Sequence, residues 1–177
     1  MKLLIVIDMQ NDFVTGCLGT PEARAIVPRV KKKIEEWQKN CFQGNYENKL
    51  IFTRDTHDEN YLNTPEGKKL PIPHCIEHTD GWKIVDGLEQ PNCSYVNKQT
   101  FGWSQWNVFG IRPEEIHICG VCSDICVVTN ALILKTMYPE TEIIVDASCC
   151  AGTTQQAHRA AMEIMKSCQI TVIGEEN

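Results

Sequence analysis

Three side chains of this chain invite a chemical reading: Cys126, Asp8 and Lys98. Cys126 lies in Ile118-Cys119-Gly120-Val121-Cys122-Ser123-Asp124-Ile125-Cys126, a pattern of strand, tight turn and helix start. Ser123 is expected to cap that helix, its hydroxyl accepting from an otherwise unpaired backbone N–H. Cys126 then falls in the first helical turn, where the positive end of the dipole favours thiolate over thiol. Asp8 follows the apolar run 3–7, and Lys98 follows Tyr95-Val96-Asn97. Taken singly, Asp8 reads as a loop-start aspartate and Lys98 as a solvated surface lysine. Together, an acid, a base and a thiol each close a strand, and parallel strands bring those ends to one edge.

The physical need is plain. A free thiol has a pKa of about 8.5, so attack on a carbonyl at neutral pH requires help. Lys98 can hold the thiolate by charge, while Asp8 takes the thiol proton and later gives it to a leaving amine. Backbone N–H groups around Val121, Cys122 and Ser123 and at the helix start can receive an oxyanion. Acyl transfer is the reaction class that uses all of these parts.

A second constellation is Arg54-Asp55-Thr56-His57, followed by Pro73-His74-Cys75. Asp55 and His57 are two apart just after a strand, so in extended chain they point the same way. His74 can supply a third ligand, and Glu66 in the intervening loop a fourth. Such a nitrogen and oxygen set suits zinc, iron or manganese. The plainer alternative is that His57 and His74 make ordinary loop hydrogen bonds. Cys119-Gly120-Val121-Cys122 also reads as a possible dithiol, and Cys119, Cys122 and Cys126 as a thiolate metal set without a fourth ligand. Phe101, Trp103 and Trp106 are either core or an aromatic wall for a flat substrate.

The elements that must position these groups follow from periodicity. Strands are expected over 2–7, 48–53, 94–97, 115–119, 142–147 and 170–173, and helices over 21–39, 123–138 and 154–167. Pro28 is expected within the first turns of its helix. Region 54–90 is mostly loop, and long loops in compact folds are usually functional. Alternating strands and helices imply an α/β fold: a doubly wound, mostly parallel six-stranded sheet with helices on both faces, one domain over 1–177. The Gly-rich dinucleotide fingerprint is missing after the first strand, where Asp8-Met9-Gln10-Asn11-Asp12-Phe13 stands.

Composition narrows the partners. In 177 residues, 17 basic against 23 acidic side chains give a net charge of -6. With no basic run beyond Lys31-Lys32-Lys33, neither nucleic acid nor an anionic membrane is the expected partner. No apolar stretch is long enough for a bilayer, and the first residues lack a signal pattern, so a cytoplasmic protein is expected. The ten cysteines are accordingly expected to be mostly reduced, Cys149-Cys150 included.

On these motifs together, the chain resembles the isochorismatase-like cysteine hydrolases, in their nicotinamidase-related amidase branch. The marks are Ile5-Val6-Ile7-Asp8-Met9-Gln10-Asn11-Asp12-Phe13, Arg54-Asp55-Thr56-His57, Pro73-His74-Cys75, Asn97-Lys98 and Gly120-Val121-Cys122-Ser123-Asp124-Ile125-Cys126-Val127. The resemblance implies that Asp8, Lys98 and Cys126 form a catalytic triad and that Val121–Cys122 is a non-proline cis peptide beside the oxyanion. It implies a divalent metal, zinc before iron or manganese, on Asp55, His57 and His74, with Glu66 as an additional carboxylate. Phe13 and Trp103 match aromatic walls around a substrate ring. The implied reaction is deamidation of a small primary amide, nicotinamide to nicotinate and ammonia through a thioester, in a homo-oligomer. A sister amidase acting on a ureido or carbamoyl group is the alternative, and a dithiol module a more distant one. Three residues depart from the pattern: Ser123 replaces a threonine, Cys122 replaces a small residue, and Thr56 replaces an aromatic one. Cys126 itself counts against isochorismate as substrate.

Overall fold

The computed structural model describes residues 1–43, 48–110 and 112–175. Six strands form one parallel sheet: β1 (Lys2–Ile7), β2 (Lys49–Asp55), β3 (Ser94–Lys98), β4 (Glu115–Val121), β5 (Glu142–Ala151) and β6 (Thr171–Ile173). Their spatial order is β3-β2-β1-β4-β5-β6, and every neighbouring pair is parallel. The order reverses between β1 and β4, and the crevice beyond the carboxyl ends at that reversal is where such sheets bind ligands. β1 is buried on both faces, Leu4 through Ile7 being fully inaccessible, as its unbroken apolar run requires.

Among the described residues five α-helices connect the strands: α1 (Asn11–Val14), α2 (Pro21–Gln43), α3 (Pro65–Lys69), α4 (Val128–Met137) and α5 (Gln155–Ser167). Ala23, Ile26, Val30 and Ile34 of α2 point into the core at helical spacing. Pro21 opens α2, and Thr20 caps it by accepting from the Ala23 N–H at 3.0 Å. Pro28 stands where the sequence places it, at the eighth residue of α2. It sits on the exposed side, where water can serve the carbonyl its missing N–H leaves unpaired. Thr154 caps α5 through the Ala157 N–H. Among the described residues no helix is long and apolar enough to cross a membrane.

Three differences from the sequence reading bear on the site. β5 runs to Ala151, four residues beyond its expected end, so Cys149 and Cys150 are buried strand residues. Loop 54–90 contains a 3-10 turn at Tyr61–Asn63 and the short α3, both too brief to show a period. The stretch after β4 is a π-helical turn, Ser123–Val127, preceding α4. Ser123 therefore does not cap: it is buried, and its Oγ is bonded to His158 Nδ1 of α5 at 2.7 Å.

β1 and β4 approach closely just below the crevice. Gly120 pairs with Ile7, has φ +121°, and a Cβ there would lie 2.0 Å from the Ile7 carbonyl oxygen. No side chain fits without parting the strands that end at Asp8 and at the Cys126 turn. Gly120→Ala is expected to cost about 3 kcal/mol or more, lowering the melting temperature by on the order of 10 °C. A thermal melt within 2–3 °C of wild type, as a surface change would give, would contradict this account of β1–β4 packing.

Candidate active site

Each candidate stands at the carboxyl end of a strand. Asp8 follows β1 in a left-handed conformation (φ 47°), which a short polar side chain tolerates. Lys98 ends β3, paired in register with Asp55 at the end of β2. Cys126 lies in the π-turn after β4, and the Val121–Cys122 peptide bond is cis. The three converge behind the crevice floor. Lys98 Nζ lies 2.6 Å from Asp8 Oδ2, 3.2 Å from Asp55 Oδ1 and 3.5 Å from Cys126 Sγ. Thr53 Oγ1 donates to Asp8 Oδ1 at 2.6 Å and accepts from the Asp8 N–H, fixing the carboxylate.

The electrostatics follow from depth. Burial would discharge Lys98, but the charges of Asp8, Cys126 and Asp55 hold its pKa well above the usual lysine value. Burial likewise raises Asp8, with Lys98 opposing. Burial and the negative charge of Asp8 raise the Cys126 thiol, while Lys98 pulls it down. One ammonium thus serves three acidic groups in a buried site, where solvent screening is weak. Removing it in Lys98→Met leaves Asp8 and Asp55 facing each other uncompensated, at an expected cost of about 3–5 kcal/mol. Urea denaturation reads that loss directly, and adding Asp8→Asn should recover part of it; a double variant no more stable than Lys98→Met would mean the pair is not coupled.

Asp55, His57, Glu66 and His74 form the second group, with four donor atoms within 4.8 Å of one another. His57 Nε2 and His74 Nε2 lie 2.9 and 3.5 Å from Asp55 Oδ2, and each is 3.9 Å from Glu66 Oε1. A tetrahedral ion with bonds of about 2.1 Å spaces its ligand atoms about 3.4 Å apart, so these donors surround a space that an ion fits. The surroundings orient them as a metal set requires. His74 Nδ1 donates to the Ile72 carbonyl at 2.9 Å, which leaves Nε2 as the free lone pair. Gln10 clamps Asp55, accepting from its N–H and donating to its carbonyl. Glu66 rides on α3, whose cap is Thr64. Burial pushes the Asp55 carboxyl up, but the bonds from His57 and His74 and the charge of Lys98 hold it well below its ordinary value.

A cavity of about 250 Å³ opens onto both groups. Cys126, Asp55, Glu66 and His74 face it, and Phe13, Leu18, Phe101 and Ile125 wall it with apolar surface. Phe13 also packs against the His74 ring, with centroids 5.6 Å apart. Trp103 is not among the lining residues: its ring packs edge-on against Trp106, and Phe101, two residues earlier, forms that wall. Cys122 lines the cavity beside Cys126, whereas Cys119 is sealed in the core with its thiol pushed well up by burial. All nine cysteines described are unpaired. A second hollow of about 290 Å³, between α2, α5 and the ends of β5 and β6, holds none of the candidates.

The pattern of the Isochorismatase domain matches residues 2–177. The chain belongs to the isochorismatase family. It is an amidohydrolase in the company of its relatives. The isochorismatase family protein PncA of Bacillus subtilis (strain 168) is 28% identical over 178 residues, covering 91% of this chain and 92% of its own length. A nicotinamidase of Schizosaccharomyces pombe (strain 972 / ATCC 24843) is 24% identical, covering 98% of this chain and 93% of its own. Among solved structures, the pyrazinamidase of Pyrococcus horikoshii in complex with zinc superposes with a TM-score of 0.81 at 25% identity, covering 98% of this chain and 99% of that one.

The geometry also identifies participants that sequence reasoning passes over. Gln10, Thr53 and Asn130 are buried polar residues bonded to the ends of the strands or to the π-turn. Each sits inside or beside an apolar run, and a buried polar residue in such a run is the signal that marks it.

Proposed function

We propose that this amidohydrolase removes ammonia from a small aromatic primary amide, nicotinamide before others, through a thioester on Cys126 and with a divalent metal on Asp55, His57, Glu66 and His74. The observation that carries the proposal is one apolar cavity lined at once by Cys126 and by Asp55, Glu66 and His74, three of the four donors. Its volume of about 250 Å³ suits a one-ring substrate, below the usual drug-sized range. When bound, the ion supplies a Lewis-acid anchor for a ring nitrogen, leaving the carboxamide to face the thiol.

Cys126 Sγ attacks the carboxamide carbon as Asp8 takes the thiol proton; Lys98 keeps Asp8 ionised beforehand and steadies the sulfur during attack. The backbone N–H groups of Cys122 and Cys126 receive the oxyanion. Asp8 passes its proton to the nitrogen, the C–N bond breaks and ammonia leaves. Water activated by Asp8 then attacks the thioester, and the carboxylic acid departs with the thiol restored. The apolar walls favour a flat ring over a polar chain, which ranks nicotinamide above a ureido or carbamoyl substrate. Metal identity within zinc, iron and manganese is set by titration, since a mixed nitrogen and oxygen set accepts all three.

The test is ammonia release from nicotinamide by purified protein, with metal content measured on the same batch. Release that scales with bound metal supports the reading; no release from metal-loaded protein would reject nicotinamide.

A further inference from the structure

We propose that Asn130 is a positioning residue that holds the Phe101 wall of the cavity in register with Cys126. The proposal rests on the reading of Cys126 as the nucleophile. Asn130 lies in α4, four residues after Cys126, and is fully buried. Its Nδ2 donates to the Cys126 carbonyl at 2.8 Å and to the Phe101 carbonyl at 3.1 Å. Its Oδ1 accepts from the Trp103 N–H at 2.9 Å. The amide's orientation is fixed chemically, because turning it over would set its oxygen against two carbonyls.

One side chain thereby joins the backbone of the reacting residue to both ends of the segment 101–103. Asparagine is a weak helix former, and a buried amide costs free energy unless its hydrogen bonds are made. Here all three contacts go to the nucleophile's turn and the wall beside it. The residue between the two tied positions gives independent support. A Cβ on Gly102 would lie 2.5 Å from Ile133 Cδ1 and 2.7 Å from Thr129 Cγ2. The loop is thus pressed onto the face of α4 that carries Asn130. Phe101 itself is about half exposed and has little packing of its own to hold it. Its position over the cavity depends on its backbone, and Asn130 holds that backbone.

The test uses Asn130→Ser, whose hydroxyl can still bond back to the Cys126 carbonyl in the helix but cannot reach the loop. Cys126 is alkylated with iodoacetamide and with N-benzyl iodoacetamide, and the modified peptide is read by tandem mass spectrometry. Asn130→Ser should lower the preference for the benzyl reagent about three- to tenfold, the value of one well-placed aromatic contact, with the plain reagent changed less than about twofold. Added to Phe101→Ala, it should do nothing further, because it acts through that ring. Hydrogen exchange over 99–106 should quicken in Asn130→Ser. If that variant fails to fold, the isosteric Asn130→Asp, which loses both donations, is read in the same way.

An unchanged preference, or effects that simply add in the double variant, would overturn the assignment of Asn130 while leaving Cys126 as it stands. A wild-type Cys126 inert to both reagents would instead overturn the reading of the nucleophile, and the register proposed here with it. In wild-type protein the Trp103 N–H must be protected from exchange. Rapid exchange there would by itself remove the tie.

Discussion

Cys126→Ala is expected to abolish turnover, lowering kcat by on the order of 10⁴-fold or more, while the protein stays folded. The size of the effect follows from the chemistry. Asp8 and Lys98 are fully buried and Cys126 faces the cavity, so the carbonyl carbon meets the sulfur, and Asp8 acts only on the protons of the thiol, the amide nitrogen and the water. Without the sulfur no group in the cavity wall can form an acyl bond in its place. Cys122 is the other thiol in that wall, but burial pushes it up to about 12 with Lys98 offsetting this only in part, and the Lys98 ammonium lies against Cys126 Sγ at 3.5 Å instead. Stability should change little, because the substitution removes one atom that faces a cavity rather than one packed on all sides. Steady-state assay with nicotinamide and acid-quenched mass spectrometry check the two halves together. Wild type should show an acyl adduct on Cys126 and the variant none. A variant retaining a tenth of wild-type activity would sink covalent catalysis by this residue.

Much of that site was legible in the residues because its groups close strands. Asp8, Asp55, Lys98 and the Cys126 turn each follow a short apolar run, and in a parallel sheet those ends share one edge. What stayed hidden depends on local backbone paths that no hydrophobic period reports. Ser123 looked like a cap because a serine before a helix usually is one. The π-turn rotates it inward to His158 instead, where burial demands a partner. Trp103 looked like the wall because the family resemblance puts an aromatic there. The backbone ties at Phe101 and Trp103 turn the smaller ring toward the cavity and the larger toward Trp106. Asn130 shows only as a polar residue in an apolar helical run; two of the partners that explain it, Trp103 and Phe101, lie 27 and 29 residues away in sequence. The parallel, doubly wound sheet, though not its strand order, followed from the alternation of strands and helices, whereas the added length of β5 came from Ser148, Cys149 and Cys150, residues that do not announce a strand.

His57→Ala is expected to strip the metal and, with it, most of the activity. His57 supplies one of four donors, and Asp55 Oδ2 is shared between it and His74. Losing a first ligand should weaken binding more than the roughly 10–100-fold seen when an outer partner is lost. Stability gives a readout apart from catalysis. Metal at about 100 times its Kd should stabilise wild type by about 2.7 kcal/mol, raising the melting temperature by on the order of 5–10 °C. The variant should gain nothing at the same concentration. Chelated wild type should recover on adding zinc, iron(II) or manganese, and the chelated variant should not. The effect reaches the thiol because of how Asp55 is divided: Oδ2 faces the histidines while Oδ1 lies against Lys98. Asp55, once it helps hold a cation, would bear less charge toward Lys98, and more of the ammonium's field would be left for Asp8 and Cys126. Removing the ion should therefore slow alkylation of Cys126 as well as weaken substrate binding. A wild-type protein that none of the three metals stabilises would reduce Asp55, His57, Glu66 and His74 to a hydrogen-bonded cluster, and the two halves of the cavity would then have no common charge to link them.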